Sequence, residues 1–267
     1  MCIRDSYGGN VFRLPLLAEN DFFPDLDGIP ADVKAKAKIL VLNYPNSPTG
    51  RVATREFYEQ VVQFAKQNEL IVIQDAAHIV LTFEGEPLSF LSVPGAKDVG
   101  VEVHSLSKGF DMIGWRIGWV CGNAKIVQAF SDVKDNCDSG QFIAIQKAAI
   151  TALDDESIPG AINAKYRRRL EKLVTALSQC GFQCSMPGGT YFLYAPAPKG
   201  LQNGADFDDA EAASQYLIGE QSIVTVPWDD AGPFLRFSVT YEAADEAAED
   251  ALMAELAFRL DKIQLRF

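Results

Sequence analysis

Basic charge is in short supply: 24 lysines and arginines stand against 36 aspartates and glutamates, a formal net charge of −12. A surface of that sign repels phosphate backbones and anionic membrane surfaces, so nucleic acid and membrane are poor partners. Histidine is scarcer still, with only His78 and His104. Neither lies near Cys180 or Cys184 in sequence, so no metal is assigned to that cysteine pair. The five cysteines, Cys2, Cys121, Cys137, Cys180 and Cys184, are odd in number and scattered, which fits reduced thiols better than a disulfide framework. No apolar run has the length of a membrane-spanning helix and no segment has the signal-peptide pattern, so the cytoplasm is the expected compartment. Neither a Gly-x-Gly-x-x-Gly nor a Walker loop follows any strand-like run, which gives nucleotide folds little support.

What is present is apolar patterning: 48% of 267 residues, enough for two modest domains with their own cores. Val11 to Leu17 reads as a strand entered in mid-sheet, so more chain is expected ahead of it, with Met1 not the natural start. Asp25 to Lys38 reads as a connector with a short helix opened by Pro30. Ile39-Leu40-Val41-Leu42 has the pattern of a parallel strand buried on both faces. A loop fixed by Pro45, Pro48 and Gly50 follows. Thr54 then caps a helix whose buried side carries Phe57, Val61, Val62, Phe64 and Ala65. A strand from Leu70 ends at Gln74-Asp75, and the run Val99 to Val103 leads to Lys108. Strand, helix and strand repeated in this way predict a doubly wound sheet, with its ligand crevice beyond the carboxyl ends of the strands. Asn46, Ser47, Asp75 and Lys108 all fall at such ends.

Lys108 is placed between that run and a second apolar run, Trp115 to Cys121. A lysine in such a crevice can be desolvated and crowded by other cations, the condition under which an amine becomes nucleophilic toward an aldehyde. Ser105 and Ser107 offer hydroxyls to an anion, and Arg116, expected on the next strand, offers a fork of donors suited to phosphate. Singly, Ser-x-Ser-Lys is a common surface turn and Gly-x-Arg-x-Gly a tight strand pairing. Together they describe a seat for a phosphorylated aldehyde.

The combination, Ser-x-Ser-Lys and then Arg116 within Gly114-Trp115-Arg116-Ile117-Gly118, resembles the cofactor-lysine segment of pyridoxal-phosphate (PLP) enzymes of the aspartate aminotransferase fold, the class I/II aminotransferases of PLP fold type I. That resemblance implies an α/β fold: a mostly parallel sheet with helices on both faces in an incomplete large domain, residues 1–155, and a smaller α/β carboxy-terminal domain, residues 156–267. It implies that Lys108 joins the cofactor's aldehyde and that Asp75 pairs with the pyridine nitrogen, these two being the catalytic residues. The loop Pro45 to Gly50 matches the family's Asn-Pro-Thr-Gly loop, with Ser47 in the asparagine's place and Asn46 beside it. Either reaches the cofactor's phenolic oxygen. His78 stands where a tyrosine is usual and is a second candidate for that oxygen, while Ser105, Ser107 and Arg116 match phosphate ligands. His104, inside an apolar strand, reads as structural.

After Gly122 the pattern turns helical, Asn123 to Val133 and Gln141 to Leu153, with Lys134 to Gly140 as a polar link. Pro159 opens a long helix to about Gln179, on which Arg167-Arg168-Arg169 reads as a solvated face. The stretch Gly188-Gly189-Thr190-Tyr191-Phe192 resembles the family's turn into the small domain. Further on, a helix near Asp209 to Glu220, strands Ile223 to Val226 and Phe234 to Val239, and a final helix from Ala243 are expected. Arg236 lies between apolar neighbours on one of those strands. A lone charge there needs a partner, and the resemblance makes that partner the substrate's α-carboxylate. The segments Ser107 to Arg116, Asp138 to Gln141 and Val226 to Gly232 resemble the diaminopimelate-directed branch of the family. That implies exchange of an amino group between diaminopimelate and 2-oxoglutarate in lysine synthesis, with a homodimer as the active form and weak PLP binding by the 267 residues alone. Another aminotransferase or a β-lyase of the same fold, or the non-catalytic sensor domain of a transcription regulator, are the alternatives.

Overall fold

The computed structural model describes residues 8–138 and 140–267; Cys2 and Ser139 of the segments above lie outside them. A four-stranded sheet runs in chain order: β1 (Ile39–Asn43), β2 (Ile71–Asp75), β3 (Gly100–Ser105) and β4 (Gly118–Gly122). The first three strands are parallel, and β4 returns antiparallel to β3. Before β1, α1 (Ala31–Lys36) follows Pro30; between β1 and β2, α2 (Arg55–Gln67) starts after Thr54, whose hydroxyl accepts from the Phe57 N–H. The α2 face carrying Phe57, Tyr58, Val61, Val62, Phe64 and Ala65 is buried in a core with Leu40, Leu42, Val72 and Phe90. A short helix, α3 (Ala96–Val99), leads into β3.

Two expectations about this sheet are corrected. Val11 to Leu17 forms no strand, because no neighbour among the described residues offers it a ladder, and Val11 and Phe12 are exposed. β1 is buried on one face only: Leu40 and Leu42 point into the core while Ile39 and Val41 are 53% and 64% exposed. Val103, on the Val41 side, is likewise open to solvent.

Beyond β3 come α4 (Leu106–Gly109), then β4, α5 (Ala124–Cys137) and α6 (Ile143–Leu153). The polar link expected over Lys134 to Gly140 is helical as far as Cys137, where Lys134 pairs one turn on with Asp138 at 2.6 Å. The long helix α7 (Ser157–Gln179) lays Tyr166, Leu170, Leu173 and Leu177 against a second core. That core takes Leu193 and Ala195 from β5 (Phe192–Pro196) and Leu235 and Phe237 from β8 (Phe234–Ser238). It also takes buried positions of α8 (Ala210–Gln221) and α9 (Glu246–Ile263). The sheet is antiparallel, β5–β8–β7, and β7 is Val226–Trp228, so the strand begins where Ile223 to Val226 was expected to end. Residues Ile223 to Thr225 instead lead out of the αL residue Ser222 that closes α8. A two-stranded ribbon, β6 (Gly200–Leu201) with β9 (Leu265–Arg266), completes the chain.

Of the triple arginine, Arg167 is solvent-exposed as expected, while Arg168 and Arg169 are not part of a solvated face. Arg169 is buried, and its Nε donates to Glu249 of α9 at 2.7 Å; Arg168 donates to the same carboxylate at 3.0 Å. The core that α7 and α9 share brings the buried carboxylate within reach, and an unpaired charge there would be costly.

Candidate active site

Ser105 ends β3 and caps α4, its Oγ accepting from the Ser107 N–H at 3.1 Å. Lys108 therefore sits on a single helical turn, where an open turn was expected. The Met112 N–H donates to the Leu106 carbonyl at 3.2 Å and the Leu106 N–H to the Ile117 carbonyl at 3.4 Å, which closes the loop on itself. Gly109 is required by contact: a Cβ there would fall 1.6 Å from Val80 Cγ2. The lysine turn thus rests directly on the segment after β2. The Lys108 ammonium lies 5.3 Å from the centroid of the Tyr191 ring.

The parallel register pairs Asn43 with Asp75 at the carboxyl ends of β1 and β2. Asn43, given no role by the sequence, ties these ends together. Its Nδ2 donates to the Asp75 carbonyl at 3.1 Å and its Oδ1 accepts from the Ser47 N–H at 2.8 Å. Asp75 Oδ1 accepts from the Ala77 N–H at 3.0 Å. The buried Asn46 side chain is spent within its own loop, donating to the Asn43 carbonyl and accepting from Thr49. The Ser47 hydroxyl makes no hydrogen bond among the described residues. The loop is held against the turn into the second sheet by Gly189, whose N–H donates to the Gly50 carbonyl at 3.0 Å. Thr190 N–H, next to it, reaches the Leu81 carbonyl at 2.9 Å.

His78 is buried where these parts meet, its ring edge-on to Tyr191 at 5.4 Å and to Phe192 at 6.0 Å. The Arg236 guanidinium lies 4.1 Å from the Phe192 centroid and 5.8 Å from that of Trp228. Burial, followed by the positive charges of Lys108 and Arg236, pushes the imidazole pKa down to about 4. Burial also pulls Arg236 below the usual arginine range. Among the described residues, Arg236 meets no carboxylate within pairing distance, and the buried Nδ1 of His78 has no partner. Lys108, His78 and Arg236, far apart in sequence, are thus brought together around Tyr191 and Phe192. Tyr191 went unassigned in the sequence; its only signal is an aromatic directly after a Gly-Gly-Thr turn.

Arg116 does not join them as expected. It precedes β4 instead of lying on it, has a left-handed backbone (φ 54°), and its exposed guanidinium donates to the Ile113 carbonyl at 2.9 Å. Ladder pairing begins only at Gly118 opposite Ser105, which leaves Arg116 in the turn. Ser107 is buried, and the Ser105 hydroxyl is engaged as the cap. His104 stacks on Trp119 at 5.2 Å, with its Nε2 3.1 Å from the buried Glu102 carboxylate.

The class I and II aminotransferase profile matches residues 3–251. The chain is 53% identical over 269 aligned residues to an LL-diaminopimelate aminotransferase of Methanocaldococcus jannaschii, covering 98% of this chain and 64% of that protein. It is 52% identical to the enzyme of the same name from Methanococcus maripaludis, again over 98% of this chain and 64% of the relative. This chain therefore spans 64% of the length of these curated relatives. Substrate-bound BacF of Bacillus subtilis superposes with a TM-score of 0.86 at 32% identity, over 96% of this chain and 63% of that one. A probable N-succinyldiaminopimelate aminotransferase of Thermus thermophilus gives 0.83 at 26% identity, over 97% and 67%. The profile match over most of the chain and the identity to these relatives show that the chain belongs to the class I and II aminotransferase family.

Proposed function

We propose that the protein is a PLP-dependent aminotransferase that moves an amino group between LL-diaminopimelate and 2-oxoglutarate, acting in the cytoplasm as a homodimer. The observation that carries the reading is the meeting of the Lys108 amine, the Arg236 guanidinium and the unpartnered His78 Nδ1 around one pair of aromatic rings. The names of the relatives supply the substrate.

The residues fit the cofactor. A buried nitrogen without a partner is rare, and His78 Nδ1 is one. It suits an oxygen-bearing ring brought against Tyr191. Lys108 would hold the aldehyde carbon, Asp75 the pyridinium nitrogen, and His78 with Ser47 the phenolic oxygen, Asn46 serving to shape their loop. Ser105, Ser107 and Arg116 would hold the phosphate, Arg116 by turning its fork from the Ile113 carbonyl. The two core clusters support a division near residue 155, with Leu81 and Phe83 reaching from the first part into the second core.

Bound PLP supplies an electron sink for the carbanion left when a substrate Cα loses its proton. The chain's own residues do the rest. Arg236 grips the α-carboxylate and fixes the substrate's orientation. The Lys108 amine would be the base that takes the substrate's Cα proton, and would deliver it to the cofactor's aldehyde carbon and not to another carbon of the substrate. His78 remains neutral near pH 7 and serves as a hydrogen-bonding group without adding charge beside Lys108 and Arg236.

A half-reaction screen of the holoenzyme tests the assignment, following cofactor absorbance with diaminopimelate, glutamate, aspartate and alanine. Loss of the band with diaminopimelate and glutamate, abolished in Lys108→Ala, is the expected result. Turnover of alanine and aspartate only would overturn the substrate, and product released as ammonia and pyruvate would indicate a β-lyase.

A further inference from the structure

We propose that Asp111 is a positioning residue for Lys108, closing a circuit of side chains that begins and ends on the lysine's own turn. Asp111 lies three residues after Lys108, in a left-handed backbone conformation (φ 51°) that turns its carboxylate toward α7. There Oδ1 accepts from the Tyr166 hydroxyl at 2.8 Å and Oδ2 from the Lys165 ammonium at 2.6 Å. The Tyr166 ring packs on Tyr191, centroids 5.1 Å apart, and the Tyr191 ring faces the Lys108 ammonium at 5.3 Å. Lys108, Tyr191, Tyr166 and Asp111 form a ring with the peptide segment 108–111 as its fourth side.

The ring ties the turn to α7 from outside the loop that its own backbone hydrogen bonds close. The Asp111 bonds fasten it to α7, and Gly109, where an added Cβ would meet Val80, sets it close against the segment after β2. α7 is in turn fastened to the segment under Gly109, because Asn163 Nδ2 donates to the carbonyls of Val80 and Thr82 at 2.9 and 2.8 Å. Asp111 and Val80 therefore grip the lysine turn from opposite ends of one rigid support. A non-glycine residue at positive φ is uncommon and persists where the surroundings over-determine it. Tyr166 takes part through its hydroxyl: burial first, and the hydrogen bond to Asp111 second, drive the phenol pKa upward, so it donates at every working pH.

The proposal rests on Lys108 being the reacting amine. Its test is a pair of variants, Asp111→Ala and Tyr166→Phe, read two ways. In the cofactor-free protein, the rate of Lys108 labelling by an amine reagent at one pH is followed by mass spectrometry. Asp111→Ala and, to a smaller extent, Tyr166→Phe change that rate severalfold, because the amine is no longer held against the Tyr191 ring. In the holoenzyme, Asp111→Ala lowers kcat by about tenfold to a hundredfold with KM for the amino donor within about twofold of wild type. Tyr166→Phe lowers kcat severalfold, and Asp111→Asn recovers part of the Asp111→Ala loss. Unchanged labelling rate and kcat in Asp111→Ala, with only a lower melting temperature, would overturn the proposal. If wild-type holoenzyme turns over no amino donor, the aminotransferase reading fails, while the labelling rate still decides the role of Asp111.

Discussion

Arg169 Nε and Glu249 Oε1 lie 2.7 Å apart with side chains only 8% and 2% exposed, which makes them a closed ion pair between α7 and α9. Arg169 also donates to the carbonyls of Val239, at 3.2 Å, and Tyr241, at 2.6 Å, just past the strand that carries Arg236. Glu249→Gln leaves a buried guanidinium without its anion and is expected to destabilise the fold by about 3–5 kcal/mol. Replacing both partners by apolar residues of similar size is expected to cost far less. Arg168 first, then Arg169 and Lys172, outweigh burial and push the Glu249 carboxyl down to about 2. Its stabilising contribution is therefore complete above the ordinary value of 4.5 and is lost as pH falls toward 2. Urea midpoints between pH 2 and pH 7 check both statements.

Gly109→Ala sets a methyl group into Val80. The expected cost is about 1–3 kcal/mol, with partial recovery on adding Val80→Ala. Calorimetry on the single and double variants measures it, and a double variant no better than the single one would show that the clash lies elsewhere.

His78 gives a pH dependence of its own. Its folded pKa of about 4 lies below the ordinary 6.5, so the unfolded chain binds the proton more tightly. The stability of keeping it neutral is complete above about pH 6.5 and lost as pH falls to about 4, at most about 3 kcal/mol. His78→Phe is expected to flatten this limb of the stability curve between pH 4 and 7. An unchanged slope would show that the imidazole is not the group responsible.

Arg236→Lys keeps the charge and loses the planar fork. An increase in KM for the amino donor of about tenfold to a hundredfold, with kcat much less affected, is expected from steady-state kinetics. Arg236→Gln should weaken binding further.

Much of this was legible in the sequence because local signals and tertiary demands agree. Thr54 as a cap, the apolar side of α2, the strand ending at Asp75 and the run Val99 to Val103 follow from short-range periodicity, and the structure has them, the last as Gly100–Ser105. Arg169 was misread because an arginine in a run of three looks solvated, and only the fold brings Glu249, far along the chain, beneath it. Ile39 and Val41 were misread because an apolar residue signals burial while the tertiary partner decides it. The direction of Arg116 depends on a backbone dihedral that composition does not encode. Asn43 was missed for a similar reason, since its use lies in two hydrogen bonds to segments that only strand pairing brings alongside.

The Asn43–Asp75 pairing also limits how the protein can change. In a parallel ladder, a shift of either strand by one residue turns all of its side chains to the opposite side. A deletion within β1 would carry Asn43, and the serine loop it anchors, away from the carboxylate. Lineages of this chain should therefore stay fixed in residue count from Ile39 to Gly50.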